Sequence, residues 1–328
     1  MRNNPAPSAL ATINAVGHFD FGSQEFRLLL DRSRASAFQQ PEWLAAFYRH
    51  MAPAHSADPL VVTGRNAEGE LCLVLPLLRR AALDVEYAFL GVTDYACPVV
   101  AGDLAMDDRP ASFLRELFGA GTRLTIGPVH QDHVASWRSL LGVEPRELDF
   151  GAHSVRYGSP YPQWRRANLG MRRAGSLDRK ARRLNEVAEL RLERLGPTDV
   201  RPALLAAADF RAGRFKDDPL RTPHGLEFYI EVATNGAHSG LARTWRLMSG
   251  RTMVGLVFGL TEGTTFRYIL LACDYASQAR YSPGRLALDH AMTAWAAEGG
   301  AAFDFTIGDE PFKADFGCTR TPMYEFRL

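Results

Sequence analysis

Residues 280–285 read Arg280-Tyr281-Ser282-Pro283-Gly284-Arg285, a run whose side chains suit an anion. If a helix starts at Pro283, its unpaired backbone N–H groups and its dipole favour negative charge at that end. Gly284 lets the backbone approach a ligand, and Arg280 and Arg285 add charge-assisted donors. A pyrophosphate-bearing cofactor fits this chemistry. Read more plainly, Ser282 and Pro283 simply begin a helix, with proline near its first position. Further along, Asp309 and Glu310 could accept a proton, and Tyr275 could donate one. The same two acids would also serve as caps for a turn before Pro311. Lys313 stands in a chain with thirty-five Arg and three Lys. Its compact ammonium could neutralise phosphate or an oxyanion where a planar guanidinium would not fit. The other two lysines, Lys180 and Lys216, suggest no such role.

These residues meet only if the elements around them bring them together. Residues 241–248, 252–260 and 265–272 are three apolar runs divided by Ser249-Gly250 and Glu262-Gly263, the pattern of an antiparallel meander. After an irregular stretch, Leu288, Ala291, Met292 and Trp295 fall on one helical face, and Gly299-Gly300 stops that helix. Residues 302–307 alternate, with Phe303, Phe305 and Ile307 on one face and Asp304 and Thr306 on the other. A strand–helix–strand crossover should make 265–272 and 302–307 parallel, with their carboxyl ends on one edge. That edge is the natural crevice for Tyr275, Asp309 and Glu310. Asp304 either lines it or holds a neighbouring Arg.

The first half repeats this order, with strands at 59–63, 71–78 and 85–90, an irregular stretch at 91–108, a helix near 111–118 and a strand at 122–126. Its irregular stretch carries Asp94, Asp103, Asp107 and Asp108 and no basic residue, so only the second half suits phosphate. Between the halves, residues 165–194 hold ten basic and four acidic residues. Leu177, Leu184, Leu190 and Leu192 hardly form a continuous stripe there, so this segment reads as a solvated, positive helix. A length of 328 residues favours two domains, expected at 1–160 and 161–328. The 38 basic and 37 acidic residues nearly cancel, so no global field draws the chain to nucleic acid or to an anionic membrane. The four cysteines lie far apart without a C-x-x-C pair, which argues against a zinc site or a disulfide framework. Neither a signal-peptide core nor a run of eighteen apolar residues is present, so a cytoplasmic protein is the expectation.

Three antiparallel strands, a basic glycine-containing loop, a helix and a parallel strand together resemble the core of the GNAT acyltransferases. The family's phosphate loop reads roughly R-x-x-G-x-G/A, from which 280–286 departs by placing Pro283 at the first glycine and displacing the second. The CelD-like branch, related to the Fem-type aminoacyltransferases with two GNAT-like domains, is the closer resemblance. It leads one to expect an SPG loop, a basic helix before the second domain, and a carboxyl-terminal D-F-x-x-G-x-E-x-[YF]-K-x-x-[FW]-G. Residues 304–317 carry Asp304-Phe305, Gly308, Glu310, Phe312-Lys313 and Phe316-Gly317 in that register. Pro41-Glu42-Trp43 and residues 89–95 (FLGVTDY) fit as well.

The resemblance implies an α/β fold of two tandem GNAT-like domains, each a mixed, mostly antiparallel sheet flanked by helices. The first would be degenerate and serve the acceptor. The second would bind acetyl-CoA or another acyl-CoA through Leu271, Arg280, Ser282, Pro283, Gly284 and Arg285, with Tyr275, Asp309, Glu310 and Lys313 catalytic. N-acyltransfer to an amine is the expected activity. The acceptor would be an amino sugar or another cell-envelope or polysaccharide precursor. The alternatives are an aminoacyl-tRNA-dependent transferase, with 165–194 gripping the RNA backbone, and a non-catalytic subunit of a polysaccharide-synthesis complex.

Two further features carry less. His130-Gln131-Asp132-His133 offers ligand types but lacks the remaining ligands of a metal site, and reads as a polar helix start. His290 is expected either exposed or satisfied in packing. Nucleophile-elbow, P-loop and dinucleotide fingerprints are all absent, which leaves hydrolase, NTPase and dehydrogenase readings without support.

Overall fold

The structure, a computed structural model, describes residues 9–105, 109–158 and 160–328. Asp107 and Asp108 lie outside the described residues. The chain divides into Met1–Phe150 with Pro322–Leu328, and Gly151–Thr321. The seam therefore falls before the expected 160/161, and the last residues return to the first unit. The reason is local: residues 152–156 pair with Ala302–Ile307 in the second unit, while residues 323–327 pair with Arg123–His130 in the first.

In the first unit, Leu10–Val16, Asp58–Asn66, Leu71–Ala81 and Asp84–Tyr87 are successive antiparallel neighbours. Arg123–His130 then lies parallel to Asp84–Tyr87. Helices Arg109–Phe118 and Gln131–Leu141 supply Leu114, Trp137, Leu140 and Leu141 to a core that includes Leu73, Leu75 and Tyr87. Nearly continuous apolar runs such as Leu71–Leu78 arise because residues on both faces of that strand are buried.

The second unit contains the expected meander as Ala242–Ser249, Thr252–Glu262 and Thr265–Cys273, preceded by Leu190–Arg194 pairing with Ala242–Ser249. Ala302–Ile307 is parallel to Thr265–Cys273, as the crossover requires. Their pairing covers only Thr265↔Ala302, Phe266↔Phe303 and Arg267↔Asp304, although both strands continue beyond it. Leu288, Ala291, Met292 and Trp295 of helix Pro283–Ala297 are all buried in the core.

Two expectations need correction here. The segment 165–194 is not one solvated helix. Tyr161–Val187 is helical with a break at Gly170, whose φ of 73° and ψ of 154° only glycine adopts readily, and Leu190–Arg194 is a strand. Leu169, Ala174, Leu177 and Leu184 are buried, and Leu190 and Leu192 pack against the same core. The leucines looked discontinuous because the stripe changes from a helical to a strand period partway along. Nor is the alternation at 302–307 one-sided. Asp304 and Thr306 are buried with the phenylalanines, because Asp304 takes the guanidinium of Arg267 and the N–H of Thr306. Of the two roles open to Asp304, the structure places it against the Arg.

Candidate active site

Strand Thr265–Cys273 delivers Asp274, which caps the short helix Tyr275–Gln278 by accepting the N–H of Ser277. A single 3-10 turn, Ala279–Tyr281, follows, and Ser282 adopts a left-handed conformation (φ 54°, ψ 59°) before Pro283 opens the long helix. Pro283 therefore starts a helix, as the plainer reading of this run expected.

Leu271, Tyr275 and Gly284 come together. A Cβ built on Gly284 would meet the Tyr275 hydroxyl at 2.3 Å and the Leu271 side chain at 3.2 Å. The glycine is thus needed to admit a tyrosine. Burial pushes the Tyr275 phenol up, opposed by the Arg214 guanidinium, which stacks 3.8 Å from its ring centroid. The Leu271 carbonyl accepts 2.7 Å from Arg211, and Arg211 is also clamped by the buried Asp218.

The loop cations differ from expectation. Arg280 stacks on Tyr281, and Arg285 is turned to Asp315, which also pairs with Arg173. Lys180, which the sequence gave no role, crosses from helix Tyr161–Val187 to donate 2.6 Å to the Ser282 hydroxyl. Its only sequence signal was its rarity.

The carboxyl-terminal residues form a second group. Asp309 bonds His153 at 2.7 Å and Arg320 at 3.1 Å, and the His153 contact holds its carboxyl below the usual range. Glu310 is exposed and lies 3.0 Å from the Lys313 ammonium. Lys313 is 1% exposed. Its Nζ donates to the carbonyls of Thr306, Ile307 and Gly308 at 3.3, 2.6 and 2.8 Å. A chain turning sharply at the end of a buried strand leaves carbonyls that the ladder cannot use, and a long ammonium reaches all three.

Tyr268 escaped the sequence analysis. Burial raises its phenol, opposed by the charge of Arg211. A tyrosine within an apolar strand was the available signal. Arg211 and Arg214 belong to a loop dense in charge whose partners no sequence period reveals. His290 is half-buried, and burial depresses its imidazole.

With this geometry in place, residues 171–314 match the family described as "Acetyltransferase (GNAT) domain". No curated protein matches. Among solved structures the chain is similar to FemX, at 11% identity, TM-score 0.59 and coverage of 96% of this chain and 97% of that one. It is also similar to the carboxyl-terminal domain of a putative lysylphosphatidylglycerol synthetase from Agrobacterium fabrum, at 13% identity, TM-score 0.59 and coverage of 93% and 90%. A tandem GNAT protein from the clavulanic acid biosynthesis pathway aligns at 13% identity, TM-score 0.50 and coverage of 96% and 98%. At such identities the likeness is one of fold.

Proposed function

We propose, from a carboxyl-terminal half that carries a GNAT acetyltransferase domain, that this chain transfers an acyl group from acyl-CoA to an amine. The observation behind this is the early end of pairing between Thr265–Cys273 and Ala302–Ile307, beyond which the Tyr275 hydroxyl sits against Gly284 and Leu271 and Arg211 bonds the Leu271 carbonyl. The donor set at the amino end of helix Pro283–Ala297, with Lys180, Arg280 and the Ser282 hydroxyl, suits a diphosphate. CoA would supply the activated thioester.

Tyr275 would protonate the departing thiolate. The Arg214 guanidinium over its ring would stabilise the phenolate left behind. Glu310, exposed beside Lys313, would take the ammonium proton of the acceptor through water. Asp309 is the weaker base because its oxygen is committed to His153 and Arg320. Lys313 would fix the carbonyls on which the Glu310 turn rests. The acceptor we favour is an amino sugar or a related polysaccharide precursor.

A second reading, an aminoacyl-tRNA donor, is favoured by one observation. Arg172, Arg179, Arg182 and Arg183 are exposed along one helix, and no ion pair to them occurs among the described residues. Release of free CoA thiol from acetyl-CoA, measured with a panel of amino sugars, tests the first reading. Turnover that falls at least about tenfold in Tyr275→Phe and Glu310→Gln supports it, and turnover equal to the parent in both rejects the assignment.

A further inference from the structure

The first unit contains a thiol–imidazole pair that acyl transfer in the second unit does not use. Cys97 Sγ lies 3.4 Å from His133 Nδ1. Both residues line a cavity of about 350 Å³ together with Arg34, Pro98, Ser136 and Ser139. The placement is built from several sides. The Tyr87 hydroxyl donates 2.9 Å to the Cys97 carbonyl and accepts the Cys97 N–H at 3.3 Å. The fully buried Gln39 amide donates to that hydroxyl and to the Tyr95 carbonyl, and its oxygen is held by Ser36. Such a buried polar network, satisfied throughout, fixes one backbone position rather than adding to the core. His133 is set by the same segment. Trp137, one turn further along helix Gln131–Leu141, donates 3.0 Å to the Ala96 carbonyl, and residues four apart share a helix face. The bond that pins Trp137 therefore carries His133 to the neighbouring Cys97.

The Cys97 thiol also lies 3.4 Å from the Pro98 carbonyl and 3.7 Å from that of Arg34. Of these acceptors only the imidazole can carry a proton away. Among the described residues no imidazole neighbours the other three thiols. Burial pushes Cys72 up to about 11 and Cys273 and Cys318 up to about 12, which leaves them almost wholly protonated near neutral pH.

We propose that Cys97 is a nucleophilic thiol, with His133 as its proton acceptor, and that the cavity admits a small electrophile carrying a negative charge, for which Arg34 is the counter-ion. In the simplest case, an α-halo carboxylate, the thiol proton passes to His133 Nδ1 and sulfur forms a bond to carbon as the carbon–halogen bond breaks. Halide leaves, and the imidazolium returns its proton to solvent. No oxidant or further reactant enters.

The test is limiting iodoacetate with the native chain, each cysteine peptide being quantified by mass spectrometry over time. Cys97 is expected to be carboxymethylated at least about tenfold faster than the partly exposed Cys318. His133→Gln should slow Cys97 about tenfold or more. Arg34→Gln should slow iodoacetate while leaving iodoacetamide unchanged. Circular dichroism melting identifies a variant that has not folded, and the wild-type ratio of Cys97 to Cys318 stands without any variant. Labelling of Cys97 no faster than Cys318 in the wild type overturns the proposal, and so does an unchanged rate in folded His133→Gln. Neither result bears on acetyl-CoA turnover, which is read in the second unit.

Discussion

At Lys313 the sequence and the structure assign different work to one side chain. A rare lysine in an arginine-rich chain suggested chemistry, yet a 1% exposed ammonium donating to three carbonyls holds a turn in place. Lys313→Met should therefore cost about 3 kcal/mol or more, because buried acceptors are left unpaired, and it should lower the melting temperature. Equal thermal unfolding of variant and parent would contradict this role. Asp309 predicts a pH effect of definite sign. His153 and Arg320 hold its folded-state carboxyl below the ordinary value, so the unfolded chain binds the proton first as pH falls. Its contribution is present above the unfolded value, near pH 4, and is lost as pH drops through the lower folded value. Denaturant midpoints measured from pH 7 down to pH 2 should show Asp309→Asn losing less stability on acidification than the parent.

Among the elements, strand Ala302–Ile307 and helix Pro283–Ala297 were legible because each repeats one clear period. The segment 165–194 was not, since its leucines serve a helix and then a strand and neither period runs the full length. The site was legible in part for a similar reason. Gly284 and Tyr275 stand out by type, whereas their contact with each other and with Arg214 depends on how the loop folds. Lys180 and Arg211 reach the site from other helices and loops, and no spacing rule connects them to it. Gly284→Val should displace the Tyr275 hydroxyl, which a Cβ would meet at 2.3 Å. Acetyl-CoA affinity and turnover should then both drop, and intact affinity measured by calorimetry would count against the loop. The Phe316 ring, 2% exposed and 5.4 Å from Phe305, packs the opposite side of the carboxyl-terminal motif. Its truncation to Ala should cost about 3–5 kcal/mol in chemical denaturation, with a clearly smaller loss showing that the ring is not part of the core.

For the molecule as a whole, a charge balance near zero conceals a local basic stripe at Arg172, Arg179, Arg182 and Arg183. If that stripe holds a phosphate backbone, RNA affinity should fall linearly in log–log terms with salt, and replacing the four arginines should flatten the slope. No RNA affinity at low salt would remove the aminoacyl-tRNA reading and leave the acyl-CoA reading intact. No helix among the described residues is long and apolar enough to cross a membrane. The central claim is that the amino end of helix Pro283–Ala297 holds the diphosphate of an acyl donor. Calorimetric titration of acetyl-CoA into the parent and into a Lys180→Ala, Arg280→Ala variant tests it most directly. One-to-one binding by the parent is predicted, weakened at least about tenfold in the variant by the loss of charge-assisted donors. No binding by the parent, or equal affinity in the two proteins, would contradict it.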